Sequence, residues 1–188
     1  MMHKQALQDL FKYVNSNRKH LLLAFVALLF VFLFFSQIKS ILIVASLAIL
    51  GAFGQLYKRI ARIPSAVEFV TFGTVVVAVA YGPVAGALFA LAVSFAAEII
   101  SGGIDAFVLV YWPVRILSGI FAATMPFGSI ISTGIATTLF INLLAQPVYI
   151  LSSDSEMKVK GIVYLVSNIA FNILLFRFLG EAVLGFAA

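Results

Sequence analysis

Long apolar runs, separated by short polar or Gly-Pro stretches, fill the chain from residue 21 onward. A helix needs about 20 apolar residues to cross the hydrocarbon of a bilayer, with about 17 as a lower limit. At or close to this limit, the pattern predicts transmembrane helices over 21–37, 41–57, 66–81, 84–100, 106–125, 130–150 and 162–179. Only Ile38-Lys39-Ser40 separates the first two runs, which predicts a tight hairpin at that point.

The first 20 residues are more polar than the rest. Within residues 2–17, Leu7, Leu10, Phe11 and Val14 recur at helical spacing, which indicates a short helix on the membrane surface. A disordered tail is the alternative. We therefore expect a cytoplasmic or interfacial N-terminal segment over 1–20 and a single transmembrane helical domain over 21–180.

The composition agrees with a membrane protein and argues against a soluble one. Hydrophobic residues make up 63% of the chain and charged residues 10%, whereas a soluble domain carries roughly 25% charged residues. The predicted fold class is an all-α polytopic membrane protein, a compact bundle of six to seven transmembrane helices. The absence of Cys excludes disulfides and thiolate metal sites.

The basic residues favour contact with lipid rather than with nucleic acid. The formal net charge is +5, but the basic side chains are scattered over short loops and form no groove with aromatics. Under seven spans most of them fall on one side of the membrane: Lys4, Lys12, Arg18, Lys19, Lys58, Arg59, Arg62, Lys158 and Lys160. Only Lys39 and Arg177 fall on the other side. The positive-inside rule then places the N-terminus in the cytoplasm and the C-terminus outside.

Arg115 is the most informative polar residue inside a predicted span. It lies about ten residues from the start of that span, where a charge must be paired or hydrated. Glu98 and Asp105 lie near the two ends of the connection that precedes this span, close enough along the chain to pair with Arg115. Tyr111 and Trp112 precede Arg115 by four and three residues, so one helix face combines a cation, a phenol and an indole. This face is either an internal ion pair with an aromatic anchor or a pocket for an anionic or carbonyl group.

Two pairs of amides also lie inside predicted spans. Asn142 and Gln146 are four residues apart, as are Asn168 and Asn172, so each pair occupies one helix face. In lipid these side chains turn inward, either to form interhelical hydrogen bonds or to line a solute cavity. Together with Glu68 and Glu98 they complete the candidate substrate-binding residues.

Nothing in the sequence suggests catalysis. His3 and His20 both lie in the N-terminal segment, which argues against a histidine metal site, and no Walker A loop or hydrolase motif occurs. Glu68 and Glu98 have no evident nucleophile beside them. We expect neither an enzyme, nor a resident metal, nor a cofactor.

Small residues recur four apart, which permits helices to approach closely in lipid. Gly82 and Gly86 form one such pair, and Ala92 and Ala96 form another. They are either internal packing positions or a docking surface for another membrane subunit.

The hairpin over residues 64–103 resembles the substrate-binding (S) components of energy-coupling factor vitamin transporters. The resemblance rests on an acid after a proline-containing loop, a GPxxG turn, and a second acid before a Gly-rich loop: Pro64, Glu68, Gly82, Pro83, Gly86, Glu98, Gly102 and Gly103. It implies a plasma-membrane protein that captures a vitamin-like solute and works with a separate transmembrane subunit and two ATPases. It also implies six spans with both ends inside, which would turn the basic loops outward. MreD-type rod-shape scaffolds look similar over the same stretch and offer the alternative of a subunit that transports nothing.

Overall fold

The computed structural model describes residues 16–57, 67–102, 104, 106–125, 127–152 and 154–187. These residues are almost entirely helical and include no strand, which confirms the all-α class. The helices are α1 (Arg18–Leu33), α2 (Phe35–Phe53), α3 (Val70–Tyr81), α4 (Pro83–Ser101), α5 (Val108–Thr124), α6 (Ile130–Ser152), α7 (Ser155–Leu175) and α8 (Glu181–Ala187). A π-helical segment, Phe176–Gly180, joins α7 to α8.

Glycine and proline set the turn between α3 and α4. The Gly82 N–H closes α3 on the carbonyl of Ala78, and its φ of +91° is one that L side chains rarely adopt. Pro83 then occupies the first turn of α4, where its missing N–H costs no hydrogen bond. At the other end of α4, Gly102 adopts the left-handed conformation common after helices. The predicted Gly-Pro hairpin therefore forms where the sequence placed it.

The boundary predicted between the first two helices is wrong. Ile38, Lys39 and Ser40 lie within α2, and the break between the first two helices lies at Phe34. Backbone hydrogen bonds continue across that break, from Phe34 N to Phe30 O and from Ile38 N to Phe34 O. A lone lysine can carry its charge outward on a long stem, so Lys39 need not end a helix.

The polar stretch after α6 is likewise largely helical, because α7 begins at Ser155 and includes Lys158 and Lys160. The surface helix predicted over 2–17 falls almost wholly outside the described residues, as do the basic loop at 58–62, Pro64 and Asp105.

The chain divides into two compact units, Met1–Ile41 and Leu42–Ala188. In the first unit nearly all described side chains are exposed, including large apolar ones such as Phe32 and Leu23. The single transmembrane domain expected over 21–180 stays a prediction.

In the second unit, α3 is the central helix. Every residue from Val70 to Ala78 is buried, and α3 contacts α4, α5, α6 and α8. Leu47 of α2 and Phe176 of the π segment pack into the same apolar core, and the Phe72 and Phe176 rings lie 5.1 Å apart. The Tyr81 hydroxyl donates to the carbonyl of Ala187 at 2.9 Å and so ties α8 to the end of α3.

The backbones of α4 and α5 approach each other at two glycines. A Cβ on Gly119 would lie 2.5 Å from the carbonyl carbon of Gly86 and 2.6 Å from the nitrogen of Ala87. A Cβ on Gly86 would meet Ala78 of α3 as well. These glycines therefore let three helices pack at close range.

Several helices have the length and apolar character of membrane spans. Among the described residues three qualify, Pro83–Ser101, Ile130–Ser152 and Lys158–Ala187, and a fourth is counted if α1 and most of α2 form one broken span. Val70–Tyr81 and Val108–Thr124 are shorter apolar helices.

Candidate functional site

Polar side chains from four helices and one helix-preceding residue meet in the interior of the second unit. We call this group the polar cluster, and its members are Glu68, Thr71, Tyr111, Arg115, Asn142, Tyr164 and Asn168. Glu68 is 0% exposed and Arg115 1% exposed, so both charges are removed from the surface. Such burial demands that the charges be paired and hydrogen-bonded.

Glu68 is held at the start of α3 by the free N–H groups of that helix. Its Oε2 accepts from the backbone nitrogens of Val70 at 2.7 Å and Thr71 at 3.1 Å. The first N–H groups of a helix have no partner within the helix, and the helix dipole favours a negative charge there. One carboxylate oxygen is thus used for capping, which leaves Oε1 to face the helices packed against α3.

Glu68 Oε1 accepts hydrogen bonds from side chains of three helices. It accepts from Thr71 Oγ1 at 2.5 Å, from Arg115 Nη2 at 3.0 Å and from Asn168 Nδ2 at 3.3 Å. The contact with Arg115 is a salt bridge between two fully buried groups. The partner that the structure gives Arg115 is therefore Glu68. The sequence had suggested Glu98 or Asp105, of which Glu98 is half-buried in the last turn of α4 and Asp105 lies outside the described residues.

Arg115 also bonds to two hydroxyls. Nη1 donates to Thr71 Oγ1 and Nη2 to the hydroxyl of Tyr111, and the guanidinium carbon lies 4.7 Å from the centre of the Tyr111 ring. The Tyr111 hydroxyl in turn shares a 2.7 Å hydrogen bond with that of Tyr164. The terminal nitrogens of the guanidinium are thereby engaged by groups of this chain.

The amides form the α6–α7 side of the cluster. Asn142 Nδ2 donates to Asn168 Oδ1 and to the carbonyl of Thr138, each at 2.8 Å. Asn172 Nδ2 donates to the carbonyl of Asn168 at 3.0 Å. All four predicted amides are buried, but only Asn142 and Asn168 bond between helices. Asn172 bonds within its own helix, and Gln146 Oε1 lies toward Gly161 of α7 without a partner in the described residues.

Four polar atoms in or next to the cluster are buried and find no hydrogen-bond partner among the described residues. They are Arg115 Nε, Thr74 Oγ1, Gln146 Oε1 and Asn172 Oδ1. Thr74 lies one turn beyond Thr71 on α3, and Asn172 one turn beyond Asn168 on α7. Leaving such a group unsatisfied costs about 1–3 kcal/mol, so the set calls for an explanation by water or by a bound molecule.

One predicted aromatic lies elsewhere. The Trp112 ring packs edge-on against Phe95 of α4 with a centroid distance of 5.3 Å, and its buried Nε1 also has no partner in the described part of the chain. Tyr111 supplies an aromatic face over Arg115.

Sequence reasoning missed Thr71 and Tyr164. Both carried a signal, because Thr71 lies three residues after Glu68 and Tyr164 precedes Asn168 and Asn172 at helical spacing.

The cluster is rich in hydrogen-bonding groups. It contains one guanidinium, one carboxylate, two phenols, a hydroxyl and amides, with no thiol or imidazole. Within the described ranges no three His, Cys, Asp or Glu side chains come together as metal ligands would. The arrangement suits the recognition of a molecule with several polar groups.

Two of the four predicted small docking residues contact other parts of this chain, and the other two are at least partly exposed. Gly86 is buried against α5 and Gly82 forms the α3–α4 turn, so both are used within the chain. Ala92 is exposed and Ala96 is half-buried on α4, where a partner subunit could dock; that role stays a prediction.

Comparison with known proteins supplies no family for this arrangement. No family model matches the chain, and no curated protein or solved structure matches it.

Proposed function

We propose that the chain is a multi-pass protein of the cell membrane that binds a small polar solute within its helical bundle. In this proposal it is the substrate-binding subunit of an uptake transporter for a vitamin or similar metabolite. It works with a second transmembrane subunit and with ATPases, since its own sequence has no ATP-binding loop.

The distribution of polar and apolar side chains supports a membrane location. Large apolar side chains cover the surface, with Leu109 79% exposed, Leu143 77% and Leu151 82%, whereas Glu68 and Arg115 are buried. Soluble proteins rarely bury charges and rarely expose apolar patches of this extent. In a bilayer the same distribution is favourable, because lipid solvates the apolar surface and polar side chains turn to the bundle interior.

The observation that carries the binding role is the set of unsatisfied polar atoms around the buried ion pair. An ionisable residue inside a membrane bundle is by default a candidate functional site. Here Arg115 Nε, Asn172 Oδ1 and the Thr74 hydroxyl remain available on or beside the cluster. A solute with donors and acceptors would satisfy them, and it would then be oriented by groups that the Glu68–Arg115 pair holds in place.

The resemblance to energy-coupling factor S components supplies the transport part of the proposal. The α3–α4 hairpin, with Glu68 before α3 and the Gly82-Pro83 turn at its tip, fits that resemblance. Ala92 and Ala96 on the outer part of α4 are the proposed docking surface for the transmembrane partner, because small residues permit close helix contact in lipid.

An MreD-like scaffold is the second candidate, and one observation favours it. Arg115 is paired with Glu68 and bonded to Thr71 and Tyr111 within the chain, so the ion pair needs no ligand to be stable. In a scaffold the cluster would only hold α3, α5 and α7 together.

Native mass spectrometry of gently purified protein tests both candidates. The transporter proposal expects a retained small molecule, and pull-down from native membranes should recover a second integral membrane protein together with ATPases. Substitution of Thr74 by Val should reduce retention, whereas substitution of the self-satisfied Thr137 by Val should not. A protein without any small molecule that co-purifies only with non-transport membrane proteins would favour the scaffold.

A further inference from the structure

We infer that the solute taken by the polar cluster carries no net charge and presents both hydrogen-bond donors and acceptors, as a carboxamide, a lactam or a ureido group does. This inference rests on the proposed function and specifies the chemical class of the ligand. It differs from the anion that Arg115 alone would suggest.

The first argument is charge balance. Arg115 cannot shed its proton inside the protein, and Glu68, 3.0 Å away, neutralises it. The other cluster members that face this pair are uncharged: Thr71 from α3, Tyr111 from α5, Asn142 from α6, and Tyr164 and Asn168 from α7. An anionic or cationic solute would therefore leave one uncompensated charge beside a fully buried ion pair, and such burial is strongly unfavourable.

The second argument is the inventory of unsatisfied atoms. Arg115 Nε can only donate, Asn172 Oδ1 can only accept, and the Thr74 hydroxyl can do either. Amide orientation follows from the bonds that the nitrogens make: Asn172 Nδ2 already donates to the carbonyl of Asn168. A carboxylate has no donor for these acceptors, while an amide or lactam offers an N–H and a carbonyl together.

Matched pairs of small molecules test the inference on the full chain in detergent or nanodiscs. We would compare nicotinamide with nicotinate, uracil with orotate, and biotin amide with biotin at pH 7, using thermal stabilisation and equilibrium binding. The neutral member of a pair should bind, and its charged counterpart should bind at least roughly tenfold more weakly, because that member would bury an unpaired charge.

Glu68→Gln sharpens the test. The variant leaves the Arg115 charge uncompensated, so the preference within a pair should reverse toward the anion. If that variant does not fold, Thr74→Val and Thr137→Val provide the second comparison. The first removes an unsatisfied hydroxyl and should weaken binding of the neutral member, whereas the second removes a hydroxyl already bonded to the carbonyl of Thr133 at 2.8 Å and should not.

The outcomes separate the inference from the proposed function. Preference of the wild-type protein for the anionic members, or native recovery of a charged solute, would overturn the inference and leave solute binding standing. Failure of all members to bind, with no solute retained from native membranes, would overturn both.

Discussion

Glu68 and Arg115 neutralise each other in an interior where neither could remain alone. Their burial at 0% and 1% exposure means that the salt bridge mainly offsets the loss of hydration and adds little net stability. Removing one partner is different from removing both, because the single change leaves a buried carboxylate or guanidinium without compensation. The pair is therefore a point of high sensitivity to mutation.

We expect Arg115→Ala to destabilise the protein by roughly 3–5 kcal/mol, because Glu68 would remain buried without a counter-charge. Ligand-free thermal melting in detergent measures the effect. A double variant, Glu68→Gln with Arg115→Met, removes both charges and should recover a large part of the loss. A wild-type melting temperature for Arg115→Ala would contradict the buried pair.

Asn168→Ala should cost about 1–3 kcal/mol, since it breaks the bonds to Glu68 at 3.3 Å and Asn142 at 2.8 Å and leaves polar groups unsatisfied. Thr124→Val is a suitable control. Its hydroxyl bonds to Ile120 O on an exposed face, so the melting temperature should change little. Equal losses in the two variants would show that the cluster contributes no particular stability.

The sequence identified most of these residues but did not identify Glu68 as the partner of Arg115. Helical spacing was enough to place Tyr111 beside Arg115 and Asn168 beside Asn172, because such relations are local. The partner of Arg115 is Glu68, which lies 47 positions away along the chain and two residues before α3. That relation depends on how α3 packs against α5, which no local pattern specifies. Two opposite charges in separate predicted spans were nevertheless a usable signal, since buried charges in a bundle pair with one another.

At the scale of helices, apolar runs and turn residues predicted where helices lie, whereas single polar residues led to wrong helix ends. Gly82-Pro83 and Gly102 mark observed helix ends because their backbone conformations suit those ends. Lys39 did not end a helix, and the polar residues after Ser155 began one. The π segment Phe176–Gly180 had no sequence signature, since it arises where Phe176 and Gly180 pack against Gly134 and Ile130 of α6.

Gly119→Ala should destabilise the contact between α4 and α5, by roughly 1–3 kcal/mol or more. The new Cβ would lie 2.5–2.6 Å from backbone atoms of Gly86 and Ala87, which cannot rotate away as a side chain would. Gly185→Ala is the matched control, because a Cβ there meets nothing within 4 Å and alanine favours the helix. Thermal melting of both variants should show a loss only for Gly119→Ala. A neutral Gly119→Ala would mean that the two helices can separate without cost.

At the scale of the whole molecule, large apolar side chains are exposed, while the charges of Glu68 and Arg115 are buried in the second unit beside its apolar core. Composition indicated it, because a chain with 10% charged residues has too few to cover its surface. Composition did not reveal how many helices cross a bilayer. Helices such as α3, with 12 residues, are too short by themselves at 1.5 Å per residue to cover the roughly 30 Å of hydrocarbon.

The long helical stretch Lys158–Ala187 gives the sharpest test of membrane topology. From Ser155 to Glu181, a helical path at 1.5 Å per residue covers about 39 Å, which exceeds the roughly 30 Å of hydrocarbon. Cysteines introduced at these two exposed positions should therefore lie on opposite sides, and the native chain has no Cys to interfere. Since Lys158 and Lys160 follow Ser155, the positive-inside rule places that end in the cytoplasm. In intact cells an impermeant maleimide should label Glu181→Cys and should label Ser155→Cys only after permeabilisation.

The reverse result would support the six-span topology of the S components, with basic residues outside. Labelling of both positions, or of neither in permeabilised cells, would show that this stretch does not span the membrane.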